Sequence, residues 1–267
     1  MKIIRYNDEN GATHYGGSES GEDYRRIEGD VFGEYHLTDE AADVAKLLAP
    51  VDPRIILCIG LNYKKHAEES GMDLPEKPVL FVKGANAVNH PGDPIELPRH
   101  LRSDEVDYEC ELAVVIGKPC KNVSRDEALD YVLGYTCAND VSSRDWQITW
   151  GGGQWCRGKF FDTFAPMGPC LVTPDEITNP NDLGIKTVLN GETVQSSNTN
   201  DMHNDVPDLI AFLSGSTTLQ PGTVIFTGTP SGVGMAADPQ RWLKPGDEVT
   251  IEIEGIGALT NPVKEES

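Results

Sequence analysis

An α+β fold built on a curled sheet is the expectation for this 267-residue chain, and three features carry it. Apolar, β-rich runs such as IILCIGLNY and DYECELAVVIG recur along the sequence. LQPGTVIFTGTP and LKPGDEVTIEIEGIG each place Pro-Gly ahead of such a run, with Gly supplying the positive φ of a turn. Helical patterns are few and short, and no repeat or low-complexity segment interrupts the alternation.

Taken in order, residues 1 to about 50 read as a few short strands followed by a helix over LTDEAADVAKLL, capped by Thr38 or Asp39 and ending before Pro50. Residues 1–53 are therefore expected to be a small N-terminal appendage, and 54–267 the main domain. After VDPR, IILCIGLNY is a strand and turn. NYKKHAEESG is expected to be a short helix capped by Asn62 and ended by Gly71. DYECELAVVIG is an apolar strand. SRDEALDYVLG reads as a helix with Ser124 at the N-cap and Glu127 at the capping-box position. NDVPDLIAFLSG reads as another, closed by Gly215.

The chain is long enough to bury a sizeable core. Acidic residues outnumber basic ones 43 to 22, a formal charge of −21, which opposes binding to nucleic acid or an anionic membrane. The six cysteines, Cys58, Cys110, Cys120, Cys137, Cys156 and Cys170, lack CxxC spacing and several sit in apolar runs, the pattern of reduced core thiols. The N-terminus turns polar after four residues, without the apolar core of a signal peptide, and no apolar run reaches membrane-spanning length. A cytoplasmic protein is the expectation.

Chemistry concentrates in the DYECELAVVIG strand. Side chains alternate faces along a strand, so Glu109 and Glu111 project together, roughly 7 Å apart along the rise. Tyr108, Cys110, Leu112, Val114 and Ile116 line the other face. Paired carboxylates in so apolar a strand need a cation or a proton to offset them. With a third acid at Asp140 in CANDVSSRD, they read as an all-oxygen site suited to Mg²⁺, Mn²⁺ or Ca²⁺, and less to Zn²⁺, for want of a His/Cys cluster. The same pair also fits a solvated edge strand.

In NYKKHAEESG, His66 and Glu69 share a helix face. The glutamate would raise the imidazole's basicity and fix its tautomer, making a general base; a plain surface pair is the alternative. Basic side chains are scarce, so Arg144, Arg157 and Lys159 near the acids suggest an anionic substrate. Arg144 suits a carboxylate, Gln147 a carbonyl, and Lys159 a developing oxyanion. The loop WGGGQWCRG combines mobile backbone with Trp150 and Trp155 and borders a pocket or the surface. GTPSGVG fits no phosphate-binding glycine motif and reads as a turn beside the pocket.

Together GLNYKKHAEE, PVLFVKG, VDYECELAVVIGK, GYTCANDVSSRDWQ, RGKFFDTFAPMGP and FTGTPSGVG resemble the fumarylacetoacetate hydrolase family, from about residue 54 to 263; residues 1 to 50 match only loosely. The resemblance implies a mixed β-sandwich roll, a homodimer, and Mg²⁺ or Mn²⁺ held by Glu109, Glu111 and Asp140, with Ca²⁺ possible in crystals. It places a water-activating pair on His66 and Glu69, a metal-side lysine on Lys159, and substrate contacts on Arg144, Gln147 and Thr229. Lys83 matches a supporting position near the pocket. The activity it implies is hydrolysis of a C–C bond in a short diketo acid such as an acylpyruvate, through an enolate. Isomerisation or tautomerisation and decarboxylation of oxaloacetate-like or 2-hydroxy-dienedioate acids use the same site, and an inactive metal-binding scaffold is the non-enzymatic alternative.

Overall fold

The computed structural model describes residues 1–267. A 12-stranded mixed sheet runs in the order Tyr35–Ala41, Arg25–Gly29, Thr13–Ser18, Lys2–Asn7, Ala165–Val172, Val132–Asn139, Cys110–Ile116, Thr223–Phe226, Ile55–Gly60, Val79–Lys83. Two short strands, Lys46–Leu48 and Val88–Asn89, attach to it off this path. A second sheet of five strands, Glu192–Asn198, Gly184–Leu189, Glu248–Ile253, Gly257–Glu265 and Ile95–Leu97, packs against the Cys110–Ile116, Val132–Asn139 and Ala165–Val172 region of the first. The expected α+β sandwich roll is the observed one. No helix is long and apolar enough to cross a membrane.

Cys110–Ile116 lies where the layers meet and is buried at every residue, which explains why its sequence is almost continuously apolar. Thr223–Phe226 runs parallel to Ile55–Gly60 and antiparallel to Cys110–Ile116. The C-terminal ends of the two parallel strands therefore emerge at one sheet edge, beside the N-terminal end of Cys110–Ile116. Val132–Asn139 pairs antiparallel with that strand, Cys110 opposite Asn139, so Asp140 arrives at the same edge. Strand direction alone thus gathers the acids, the His66 helix and the GTPSGVG loop.

The helix expected over LTDEAADVAKLL is absent: its residues form the strand Tyr35–Ala41 and the short strand Lys46–Leu48. So short a helix is marginal without a buried stripe, and hairpin pairing wins: Leu37 lies opposite Ile27, while Thr38 Oγ1 donates to the Arg26 carbonyl at 3.1 Å rather than capping a helix. The N-terminal strands also extend the main sheet, Lys2 and Ile3 pairing with Val172 and Leu171.

The His66 helix spans Lys64–Ser70 and ends at Gly71. Tyr63, not Asn62, holds its N-cap position, without a side-chain cap. Asn62 Nδ2 instead donates to the carbonyls of Asn204 and Thr227 at 2.9 and 2.8 Å, since a buried amide must satisfy its own donors first. SRDEALDYVLG forms a tight 3₁₀ segment over Arg125–Tyr131, and the Ser124 hydroxyl donates to Glu127 at 2.6 Å instead of accepting a backbone N–H. Val206–Ser214 is helical, capped by Asp205, which accepts the Asp208 N–H.

Candidate active site

Glu109, Glu111 and Asp140 are buried, and a carboxylate oxygen from each lies within 4.8 Å of the others. Glu111 accepts the Gly228 N–H at 2.7 Å; Gly228 has φ +99°, and a Cβ there would meet the Asn62 side chain at 2.8 Å. Only glycine brings this N–H so close without strain. Asp140 accepts from Lys159 Nζ at 2.8 Å. Its Oδ1 lies 2.7 Å from Lys83 Nζ, but that ammonium donates to the carbonyls of Val141, Lys159 and Phe164 at 2.9, 2.8 and 2.8 Å. The three carbonyls and Asp140 Oδ1 thus share one buried ammonium, and Asp140 Oδ1 is held by charge rather than by a well-directed hydrogen bond.

The charges around this trio are uneven. Burial pushes the Glu109 carboxyl up, yet Lys159 and Arg144 outweigh it and hold the group at about 2. Burial, then Asp140 and Glu109, push Glu111 well above the ordinary carboxylate range, which favours a proton or a cation on it. An acceptor-only set of three buried carboxyl groups, one of them pushed toward its protonated form for lack of positive charge, fits a hard divalent cation such as Mg²⁺ or Mn²⁺.

Arg144 Nε and Nη2 donate to Asp107 at 2.9 and 2.8 Å. Its Nη1 donates to Gln147 Oε1 at 2.9 Å and lies 2.7 Å from Glu109. One Nη2 hydrogen is left for a ligand, so a bidentate grip on a substrate carboxylate requires Arg144 to release a protein partner. Burial opposes the Arg144 charge, but Glu109 and Asp107 hold it firmly protonated. Asp107 is wholly buried and also accepts the N–H groups of Tyr108, Gly234 and Met235. Asp107→Ala, which strands Arg144 and two loop amides, is expected to cost about 3–5 kcal/mol in urea unfolding.

His66 Nδ1 lies 3.2 Å from Glu69 Oε2, and Glu69 is itself held by the Gly232 N–H at 3.0 and 3.1 Å. Glu69 accepts, so Nδ1 carries the proton and Nε2 is the free base. The GTPSGVG loop therefore does cradle acidic groups, but they are this chain's own carboxyls: Gly228 serves Glu111, Gly232 serves Glu69 and Gly234 serves Asp107.

A cavity of about 220 Å³ joins these parts. His66, Glu109, Arg144, Gln147, Lys159 and Thr229 line it, with Phe81, Ile148, Trp155 and Met235 among its apolar wall. Glu111 and Asp140 stand beside Glu109, and Glu69 behind His66. Arg157 is drawn elsewhere: its guanidinium stacks 4.2 Å above the Phe161 ring and lines another pocket. Trp150 is exposed and packs edge-on against Trp146. Trp155 packs against Phe81.

Gln147 reaches the cavity from a single π-helical turn, Asp145–Thr149, of the kind often found at functional sites. The Lys159 helix, Cys156–Lys159, lies directly on it. A Cβ on Gly158 would sit 2.5 Å from both Gln147 N and Ser143 O. Gly158→Ala is therefore expected to destabilise the fold by about 1–3 kcal/mol and to impair catalysis through Gln147 and Lys159, checked by thermal unfolding and steady-state kinetics.

Two site residues escape a sequence reading. Asp107 carried a signal, since it continues the two-residue spacing of Glu109 and Glu111. Gln195 carried none. It lies on Glu192–Asn198 of the second sheet, and its Nε2 donates to Thr229 Oγ1 at 2.9 Å.

Residues 55–264 match the family described as Fumarylacetoacetate (FAA) hydrolase C-terminal, and residues 1–50 match one described as Rv2993c-like, N-terminal. A mitochondrial oxaloacetate tautomerase of Xenopus laevis is 50% identical over 218 residues, 81% of this chain and 68% of that protein. The solved 2-hydroxyhepta-2,4-diene-1,7-dioate isomerase of Mycobacterium marinum superposes with a TM-score of 0.85 at 39% identity, covering 100% of this chain and 99% of that one. A fumarylacetoacetate hydrolase from Exiguobacterium antarcticum gives 0.88 at 36%, covering 100% of each. By its carboxylate trio, its sheet arrangement and these similarities across most of its length, the chain belongs to the fumarylacetoacetate hydrolase family.

Proposed function

We propose that the protein is a divalent-metal-dependent enzyme that interconverts the keto and enol forms of an oxaloacetate-like 2-oxo acid. The observation that carries this reading is the buried Glu109, Glu111 and Asp140 trio beside a cavity whose free polar groups are donors and one base. The named activities of the tautomerase and isomerase relatives support it. Mg²⁺ or Mn²⁺ held by the trio would supply positive charge that makes the C3–H of a 2-oxo acid acidic and stabilises negative charge at its C2 oxygen.

The chain's own groups do the rest. Gln147 and Thr229, with the remaining Arg144 hydrogen, hold the acid end. Lys159 adds positive charge beside Glu109 and Asp140. His66 Nε2, steadied by Glu69, removes the C3 proton; the C–H electrons form the C2=C3 bond, the carbonyl π electrons move to oxygen, and the proton held by His66 is returned through solvent to that oxygen as the enol leaves. Ketonisation is the reverse, and no co-reactant is needed. The test follows enol-oxaloacetate absorbance with Mg²⁺ and with chelator. Acceleration that chelator abolishes is expected; a rate no faster than buffer overturns the reading.

Hydrolysis of a C–C bond in an acylpyruvate is the second reading, favoured by the free Nε2 of His66, which is equally able to take a proton from water. Product identity separates the two. We further propose a homodimer in a reducing compartment such as the cytoplasm. The six free cysteines, five of them buried, support the compartment, and sedimentation would check the dimer.

A further inference from the structure

Thr229 and Gln147 line the cavity, and each is able to offer a ligand either a donor or an acceptor. What stands behind them decides which. The Cys110 N–H, which only donates, points at one end of the Gln195 amide at 3.0 Å. That end is therefore oxygen, and it also accepts the Thr187 hydroxyl at 2.7 Å. The other end is the NH₂ group, which donates to the Pro230 carbonyl at 3.0 Å and to Thr229 Oγ1 at 2.9 Å. A carbonyl only accepts, so both ends of the amide agree on its orientation. Thr229 Oγ1 receives a hydrogen bond and keeps its own proton unspent. Gln147 is set by the same logic: Arg144 donates to its Oε1, leaving its N–H groups free.

We infer that Gln195 is a positioning residue that fills one lone pair of the Thr229 hydroxyl and turns its proton into the cavity, so that this corner favours an acceptor oxygen, that of a carboxylate, keto group or enolate. With Gln147 presenting N–H, and with Lys159 and Arg144 cationic, every free polar group on that wall donates. A ligand amide or hydroxyl that must donate there finds only the second Thr229 lone pair and leaves the Thr229 and Gln147 hydrogens unpaired, so it binds less well. Specificity for an anionic 2-oxo acid over its neutral amide thus reaches back to the second sheet, with Gln195 wholly buried between the layers. This deepens the keto-acid reading above and rests on it.

The test is a double-mutant cycle. Mg²⁺-loaded protein is titrated calorimetrically with 2-oxoglutarate, a probe whose oxygens are all acceptors, and KM for oxaloacetate is measured alongside. Thr229→Val and Gln195→Met are each expected to weaken binding roughly 10-fold, and the double variant to bind no more weakly than Thr229→Val alone. An equal further loss from Gln195→Met in the Thr229→Val background overturns the inference, as does unchanged affinity in Gln195→Met. Should Gln195→Met fail to fold, Gln195→Leu, which likewise offers Thr229 no hydrogen, decides: roughly 10-fold weaker binding is expected, and parental affinity overturns the inference. Parent protein that binds 2-oxoglutarate yet tautomerises no 2-oxo acid would sink the proposed reaction while leaving the cycle to decide the Gln195 role.

Discussion

Glu111→Gln is expected to weaken Mg²⁺ binding by at least ~100-fold while leaving the metal-free protein as stable as the parent or more so. Outer-shell partners alone typically contribute about 10–100-fold to metal affinity, so a direct ligand should contribute no less. Without a cation, burial and the neighbouring Asp140 and Glu109 carboxylates push Glu111 toward its protonated form. Glutamine reproduces that neutral shape and still accepts the Gly228 N–H. The pH dependence has a definite sign. The unfolded chain releases this proton near the ordinary 4.5, whereas the folded chain retains it to higher pH. The folded state therefore binds more protons, and Glu111 makes stability fall as pH rises above 4.5 until its folded value is passed. Gln does not titrate, so the stability gap should widen in its favour from pH 5 to 8, and saturating Mg²⁺ should reverse the gap by stabilising only the parent. Urea unfolding with and without Mg²⁺, plus calorimetry, checks all of this. A metal-free variant several kcal/mol weaker than the parent would show Glu111 to be a structural anion instead.

Glu109→Gln should behave in the opposite way. Burial works against its charge, but Lys159 and Arg144 hold it ionised at about 2, and neutralising it leaves two buried cations undercompensated. A loss of about 3–5 kcal/mol is expected even without metal.

His66→Ala is expected to lower kcat for oxaloacetate tautomerisation by roughly 10²–10⁴-fold, the usual worth of a positioned general base, with the Mg²⁺ Kd unchanged. The imidazole touches no member of the carboxylate trio, and its one ring partner is Glu69 at 3.2 Å. Glu69→Gln should be milder, since the amide can still receive the Gly232 N–H through its oxygen. Survival of full tautomerisation in His66→Ala, with loss confined to acylpyruvate cleavage, would move the assignment to hydrolysis.

Much of this site was legible in the sequence because its parts are local. Glu111 lies on Cys110–Ile116 and Glu109 just ahead of it, in the short link after Val106–Asp107, so their two-residue spacing pointed to the pair, while His66 and Glu69 follow helical spacing, a property of the backbone. The Val206–Ser214 helix was legible for the same reason, its Asp205 cap and first-turn Pro207 acting within a few residues. The LTDEAADVAKLL segment was not. Its propensities favour a helix, but whether Leu37 packs against Ile27 across a hairpin is settled by a strand ten residues away.

By itself the sequence pointed to the acidic trio, the His66–Glu69 pair and the α+β character from residue chemistry and short-range pattern, and to the sandwich through the family resemblance. Only the tertiary structure decided which atoms of those residues are free. Arg144 arrives with most of its donors committed to Asp107, Glu109 and Gln147, Lys83 is consumed by three carbonyls, and Thr229 is made a donor by Gln195 from the opposite sheet. The physical reason is that a buried polar group must find partners wherever the fold brings them. Apart from Gln147, three residues from Arg144, those partners lie tens of residues away in the chain, so no local pattern encodes which lone pair or proton is left over for a substrate.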